Sequence, residues 1–388
     1  MEILIKIPSK IEFVLDVLMH FGYEAYIVGG CVRDSLLGIT PHDYDITTSA
    51  TPETVMSLFD HTIPTGIKHG TVTVVIDNEL IEVTTFRTEG DYSDSRRPDS
   101  VQFVSDLKSD LARRDFTVNA IAYNHRQGLK DFFGGIDDLE NRVLKAVGDP
   151  YQRFSEDALR IMRLFRFASQ HGFKIDEETY NNAIHLSHKL ENISRERIFA
   201  ELLKAIDGEH PEALAPLLQC GGLSFLNISG YVNLSLLKSL DISQNLRLAV
   251  FLSETCRHAL DTLKALKCSN AQYRYCENFL RLCALVLPQN KADIKNALFI
   301  TNLQAVNEWL LYLKATGTDV SLQQQMLLEI IEKKEPYLIS HLKIDGKDLQ
   351  HLGISGKEIG KLLEKLRRKV VLNPEYNTKE KLLKILTK

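Results

Sequence analysis

The stretch "YIVGGCVRDSLLGITPHDYDITT", residues 26–48, decides how this chain reads. The apolar run Ala25–Val28 ends at Gly29 and Gly30, and Val32 to Leu37 then has helical spacing and stops at Gly38, so a strand hands over to a helix. Glycines without Cβ allow a tight turn and let a phosphate approach backbone N–H groups at the helix start. Arg33, in the first helical turn, points the same chemistry at phosphate oxygens. Asp43 and Asp45 follow, and in an extended segment residues i and i+2 share a face. Two adjacent carboxylates repel each other unless a cation lies between them, and Mg²⁺ prefers carboxylate and phosphate oxygens. Taken singly, GG-x-x-R is also an ordinary turn and D-x-D a charged surface strand. Their order favours one magnesium–triphosphate site, to which Glu82 in IEVTTF adds a candidate third carboxylate.

Outward from that stretch, Ile11–Phe21 has helical periodicity, and residues 69–86 (HGTVTVVIDNELIEVTTF) alternate with period two around Asp77-Asn78, a β-hairpin pattern. Residues 88–100 (TEGDYSDSRRPDS) read as a polar loop, followed by a short strand, VQFV. From Tyr151 onward the texture is helical, with Ser or acidic residues opening SEDALRIMRLFRFASQ, DEETYNNAIHLSHKL and SRERIFAELLKAI. The expected class is α+β: a head with a small mixed sheet and helices to about residue 150, then an all-α remainder. No internal repeat or low-complexity tract interrupts it, and residues 210–340 carry no strong chemical motif.

A chain of 388 residues exceeds the usual size of one core, so two or more domains are expected. Its 44% hydrophobic and 25% charged residues are ordinary for a soluble globular protein. No run approaches the ~20 apolar residues of a membrane helix, and the N-terminus lacks a signal-peptide pattern, so a cytoplasmic protein without a membrane partner is expected. The six cysteines include no CxxC, which predicts reduced, mostly buried thiols. A net charge of −4 excludes a histone-like polycation but not a local basic surface. Residues 357–388 form such a candidate: eight lysines and two arginines against four glutamates, a net +6. They are either a solvated helix face or a surface for phosphate backbone.

In SEDALRIMRLFRFAS, Ala158, Ile161, Met162 and Phe165 share an apolar face, with Asp157, Arg160 and Arg163 on the other side. Asp157 and Arg160 are i,i+3 neighbours and have the spacing of a simple salt bridge. The same two groups could read a base. Cytosine and adenine each present an amine beside an unprotonated ring nitrogen, which suit a carboxylate acceptor and a guanidinium donor. Guanine and uracil reverse both groups and leave the pair unmatched.

Four long motifs, GGCVRDSLLG, HDYDITT, LARRDFTVNAIAYN (111–124) and GDPYQRFSEDALRIMRLFRFA (148–168), occur here in the order found in the class II tRNA nucleotidyltransferase and poly(A) polymerase family, which this chain resembles. The tail stretches ISGKEIGKLLEKLRRKVV and YNTKEKLL are similar to its bacterial CCA-adding members. The resemblance implies a catalytic head at 1–150, a base-recognising neck at 151–210, a helical body at 211–340 and a basic, tRNA-binding tail at 341–388. It makes Asp43 and Asp45 catalytic Mg²⁺ ligands, and Gly30 and Arg33 triphosphate-binding positions, with Gly29 and Glu82 accessory. Arg114 and Asp115 would hold the nucleotide, Asp115 near the ribose, with Asn119 orienting the loop. Glu156, Asp157 and Arg160 would form the E-D-x-x-R base reader, and Arg163 and Arg166 would continue toward the phosphates. Arg195, Glu196, Arg197 and Glu201 read as neck scaffolding.

The implied reaction is template-independent addition of CCA to a tRNA 3′ end from CTP and ATP, by two-metal transfer with release of pyrophosphate; no protein partner is implied. The full-length 88–100 loop, with Arg87 before it and Arg96, Arg97 and Pro98 inside, favours CCA over CC-only addition. An A-adding or poly(A) activity remains a reading within the same family. Outside it stand a catalytically inactive RNA-binding protein, which has no reason to keep Asp43 and Asp45, and a small-molecule nucleotidyltransferase, which needs neither the Asp157/Arg160 reader nor the basic tail.

Overall fold

The computed structural model describes residues 5–90, 101–230, 233–239 and 243–386. The chain divides into two compact units, residues 1–231 and 232–388. In the first, α1 (Ser9–His20) leads into β1 (Ala25–Val28), α2 (Gly30–Leu36), β2 (Asp45–Thr48), α3 (Pro52–Leu58), β3 (Thr62–Gly66), β4 (Thr71–Ile76) and β5 (Glu79–Thr85). Then come β6 (Arg87–Glu89), β7 (Val101–Phe103), α4 (Leu107–Ala112), β8 (Ile121–Asn124), β9 (Gly128–Asp131) and α5 (Gly135–Glu140).

Seven strands form one mixed sheet in the order β3-β4-β5-β2-β1-β8-β9. Only β2 and β5 run parallel; the other neighbours are antiparallel. The β4–β5 hairpin turns at Asp77 and Asn78, whose φ of 48° and 65° are those of a tight primed turn. Strand β1 is covered on both sides. Ala25 and Ile27 join a core with α1, α3 and the hairpin, whereas Tyr26 and Val28 join another with Phe86, Leu107, Leu111 and Val147. This alternation is the period of two expected of a strand. Burial on both faces fixes the register, because a slip of one residue would swap the two sets. Strands β6 and β7 pair antiparallel apart from the main sheet; residues 91–100, and with them Arg96, Arg97 and Pro98, lie outside the described residues.

Helices dominate from α6 (Pro150–Glu156) through α7 (Leu159–His171), α8 (Glu177–His185) and α9 (Arg195–Ile206). One strand signal was missed here: Lys174–Ile175 pairs in parallel with Val143–Leu144. The expected continuous helix over SEDALRIMRLFRFASQ is instead broken, because Asp157 is extended (φ −138°, ψ 101°) and ends α6. Its apolar face is as expected, with Ala158, Ile161, Met162 and Phe165 fully buried. Helix α7 packs chiefly on α9.

The second unit is helical. Gln244–Thr255 packs on Asn270–Cys283, which packs on Leu303–Ala315. The helix Lys357–Leu372 buries Leu363, Leu366 and Val370 against Leu342, Ile344, Leu349 and Leu382. Among the described residues no helix is long and apolar enough to cross a membrane. All six cysteines are free, but only Cys31 and Cys276 are buried, while Cys220 and Cys283 are exposed. Small thiols can sit at partly covered helix surfaces, so the expectation of mostly buried thiols is corrected.

Candidate active site

The register of β1 creates the site. Val28, the residue before the glycine pair, stands opposite Asp45 on β2 and opposite Ala122 on β8. The first carboxylate therefore lies beside the Gly29–Gly30 turn, with Asp43 two residues upstream in the approach to β2. The parallel β2–β5 pairing of Ile46 with Val83 brings Glu82 to the same sheet end. Although Asp45 is exposed as a residue, its carboxyl is raised above the ordinary value. Loss of surrounding water is the main cause, and Glu82 and Asp43 add to it against the attraction of Arg114. Among the described residues neither the Asp43 nor the Asp45 carboxylate has a hydrogen-bond or ion-pair partner. The described residues hold no group of three or more His, Cys, Asp or Glu side chains gathered closely enough to count as a metal cluster, and the Glu82 charge acts on Asp45.

Gly29 has φ +81° and donates its N–H to the Ile121 carbonyl at 3.3 Å. The positive φ of the turn favours glycine, and a Cβ at this position would also meet Arg114 Nη1 at 2.9 Å. Arg114 is placed by Asp110, a fully buried carboxylate on α4, across a 3.8 Å ion pair. Asp110 also accepts from Thr47 Oγ1 (3.1 Å), the Arg87 N–H (3.2 Å) and Arg113 (2.9 and 3.1 Å), which ties α4 to β2 and β6.

From the glycine turn a line of polar groups runs into the neck. Arg33, 7% exposed, donates to Asn119 Oδ1 at 2.6 Å and to Asp34 at 2.7 and 2.9 Å. Asn119 Nδ2 donates to Asp115 Oδ1 at 3.0 Å, and Arg163 Nε donates to Asp115 Oδ2 at 2.7 Å. Burial alone would raise the Asp115 carboxyl, but the Arg163 charge and the Asn119 and Arg163 hydrogen bonds outweigh it and hold it well below the usual carboxylate range. The structure thus joins Arg33, Asn119, Asp115 and Arg163, which stand 86, 4 and 48 residues apart in successive links.

The simple Asp157–Arg160 salt bridge that their spacing allowed is absent among the described contacts. Asp157 pairs instead with Arg197 of α9 (2.7 Å), and Arg160 with Glu156 (2.8 Å). The helix break explains the exchange, since an extended Asp157 no longer shares a helical face with Arg160. Arg166 turns into the neck, bonded to Glu201 at 2.6 Å and to Gln170 at 2.9 Å. Around the buried Phe167 ring lie the guanidinium carbons of Arg166 (3.6 Å), Arg33 (4.9 Å) and Arg163 (5.4 Å), an arrangement that softens their mutual repulsion.

A family model for the poly A polymerase head domain matches residues 25–145, and the tRNA nucleotidyltransferase domain 2 model matches residues 243–386. A CCA-adding enzyme of Ligilactobacillus salivarius is 36% identical over 95% of this chain and 94% of its own length. One of Lactococcus lactis subsp. cremoris is 38% identical, covering 96% and 95%. The crystal structure of the Bacillus stearothermophilus CCA-adding enzyme in complex with CTP superposes with a TM-score of 0.81 at 33% identity, over 97% of this chain and 95% of that one. The chain belongs to the CCA-adding enzymes. Its mixed-sheet head and helical remainder are those of this family of tRNA nucleotidyltransferases.

Within this CCA-adding enzyme, sequence reasoning overlooked Asp110, Phe167 and His171. Asp110 had a local signal, since Arg113 and Arg114 follow it at i+3 and i+4. Phe167 and His171 carried no local signal of this kind. Arg197 and Glu201 read as scaffolding, and the structure shows which side chains they hold.

Proposed function

We propose that this enzyme adds C, C and A in turn to the 3′ end of tRNA, taking CTP and ATP and releasing pyrophosphate at each step. The observation that carries the reading is the cross-pairing in the neck: Asp157 and Arg160 are held by Arg197 and Glu156 and do not neutralise each other. A carboxylate and a guanidinium kept apart in this way match the amine and ring nitrogen that cytosine and adenine share. The similarity to a relative crystallised with CTP supports the same substrate class here.

In this reading the division 1–150, 151–210, 211–340 and 341–388 is one of labour: chemistry, base choice, spacing and tRNA contact. Arg33, with N–H groups at the start of α2, binds the triphosphate near Gly30. Asp115 accepts a ribose hydroxyl beside Arg114, and Asn119 keeps that carboxylate turned toward Arg163. Arg163 reaches the phosphates from the neck, and Arg166 supports it through their shared partner Glu201. Asp43 and Asp45, like charges crowded at one strand end without a protein cation bonded to either, suit a divalent ion, Mg²⁺ by its preference for oxygen. Such an ion, when bound, activates the attacking 3′-hydroxyl and offsets charge at the α-phosphate. The remaining catalysis is positioning and preorganised charge from the chain itself.

Arg367 is buried and bonded to Glu364, so it is not a phosphate contact. Lys357, Lys361, Lys365 and Arg368 are exposed and fall within an arc of about 80° on one helix, a stripe suited to RNA phosphates.

The test gives the purified enzyme tRNA transcripts ending before the first C, before the second C and before the A, with each nucleotide separately. Stepwise addition of C, C and A followed by arrest is expected. A long A ladder on any RNA would instead mean poly(A) synthesis, arrest after CC would mean a partial enzyme, and no incorporation would mean a binding protein.

A further inference from the structure

We infer that Arg197 is a positioning residue for base selection: its guanidinium fork locks the Asp157 carboxylate so that one acceptor stays open to the incoming base. This rests on the reading of Asp157 and Arg160 as the base-recognising pair. Asp157 lies between two helices, in extended backbone that leaves its side chain free of either helical face. Its Oδ1 accepts the Leu159 N–H at 3.0 Å and Arg197 Nη1 at 3.4 Å, and Oδ2 accepts Arg197 Nη2 at 2.7 Å. A carboxylate offers about four lone-pair sites, so these three donors leave one, on Oδ2.

Arg160 is filled in a complementary way. Nη1 donates to Glu156 Oε2 (2.8 Å) and the Arg153 carbonyl (3.2 Å), and Nη2 donates to the Arg113 carbonyl (3.0 Å). Among the described contacts, Nε–H and one Nη2 hydrogen remain. The reader thus keeps one open acceptor and a donor edge, the combination that an amine beside a ring nitrogen requires and that a carbonyl beside an N–H cannot satisfy. Without the fork, Asp157 could swing to Arg160, three residues away, and the two would close on each other. The side chains of Asp157, Arg160 and Arg197 are only 14%, 9% and 25% exposed, so such a pair would not be opened readily by water. Lysine keeps the charge of Arg197 but not the two-point grip.

The experiment compares wild type, Arg197→Met and Arg197→Lys with each of the four nucleotides, on tRNA transcripts ending before the first C and before the A. In Arg197→Met, kcat/KM for CTP and ATP is expected to fall about 10- to 100-fold while the residual rates with UTP and GTP hold, which shrinks the preference by that factor. Arg197→Lys should fall between, and inhibition by pyrophosphate should be unchanged in both. An unaltered C/A over U/G ratio in a folded Arg197→Met protein overturns the inference, as does an equal loss with all four nucleotides. If thermal melting shows that Arg197→Met does not fold, the ratio in Arg197→Lys decides in the same way. Failure of the underlying reading shows separately, as a wild-type enzyme without preference for CTP and ATP.

Discussion

Charged side chains are partnered to different extents in the two units of the chain. In residues 232–388, Lys295 is 1% exposed and bonded to Glu335 at 2.7 Å, which Lys291 also holds at 2.9 Å. Arg367 is gripped by both oxygens of Glu364 and lies 3.7 Å from the Phe299 ring centre. Glu308 takes hydrogen bonds from Tyr275, Ser243 and Gln304. These are closed sets, in which each charge is answered by immediate neighbours. In residues 1–231 the Arg33–Asn119–Asp115–Arg163 line joins α2 to α7, while Asp43 and Asp45 have no hydrogen-bond or ion-pair partner among the described residues and Asp45 feels only the more distant attraction of Arg114.

The largest effect should come from the unanswered pair. Asp43→Ala is expected to lower transfer by about 10³-fold or more, since a cation held there contributes several kcal/mol to the transition state. An exposed carboxylate among like charges contributes little to folding, so the melting temperature should stay the same or rise. Robust transfer by Asp43→Ala would show that the open charge is not the chemical centre.

Lys295→Met tests the closed kind of buried charge. Removing one of two cations from Glu335 should cost about 1–3 kcal/mol of stability, measured by urea unfolding. The relative use of CTP, ATP, UTP and GTP should not change. A shift in that ratio would mean that this closed set and the nucleotide site are not separable.

How much of this was visible in the sequence follows from what is local. The glycine turn, the Asp77-Asn78 hairpin and the stop at Gly38, with φ +75°, each depend on a few neighbouring residues whose conformational preferences are strong. The two aspartates were legible as a pair, but their place beside the glycines rests on pairings of β1 with β2 and β8, which no local pattern specifies. The arginines were legible as a set but not in their partners. Choosing Arg197 for Asp157 required the break at residues 157–158, and no glycine or proline marks it. The +6 count of the tail likewise could not separate Arg367, drawn into the apolar side of its helix, from the lysines on the outside.

The smallest expected effect belongs to His171, inside the arginine cluster of the first unit. Its ring lies nearly parallel to Phe167 at 6.1 Å and 5.5 Å from Phe173, and its Nε2 is buried without a partner among the described residues. Burial, then the Arg33 charge, with Arg166 adding and Asp34 opposing, pushes its pKa down from 6.5 to about 4. On acidification the unfolded chain takes up the His171 proton first, near pH 6.5, while the folded protein refuses it until near pH 4. Between those values the unfolded state binds more protons, so stability is fully present above the window and is lost as the pH falls through it. Allowing for the partial exposure of the ring, the loss should be about 1–2 kcal/mol by pH 4. His171→Phe keeps the aromatic packing and removes the titration, so its urea-unfolding free energy should decline less steeply between pH 6.5 and 4 by that amount. Parallel declines in the two proteins would show that the arginines and the ring do not interact across the cluster as the folded geometry requires.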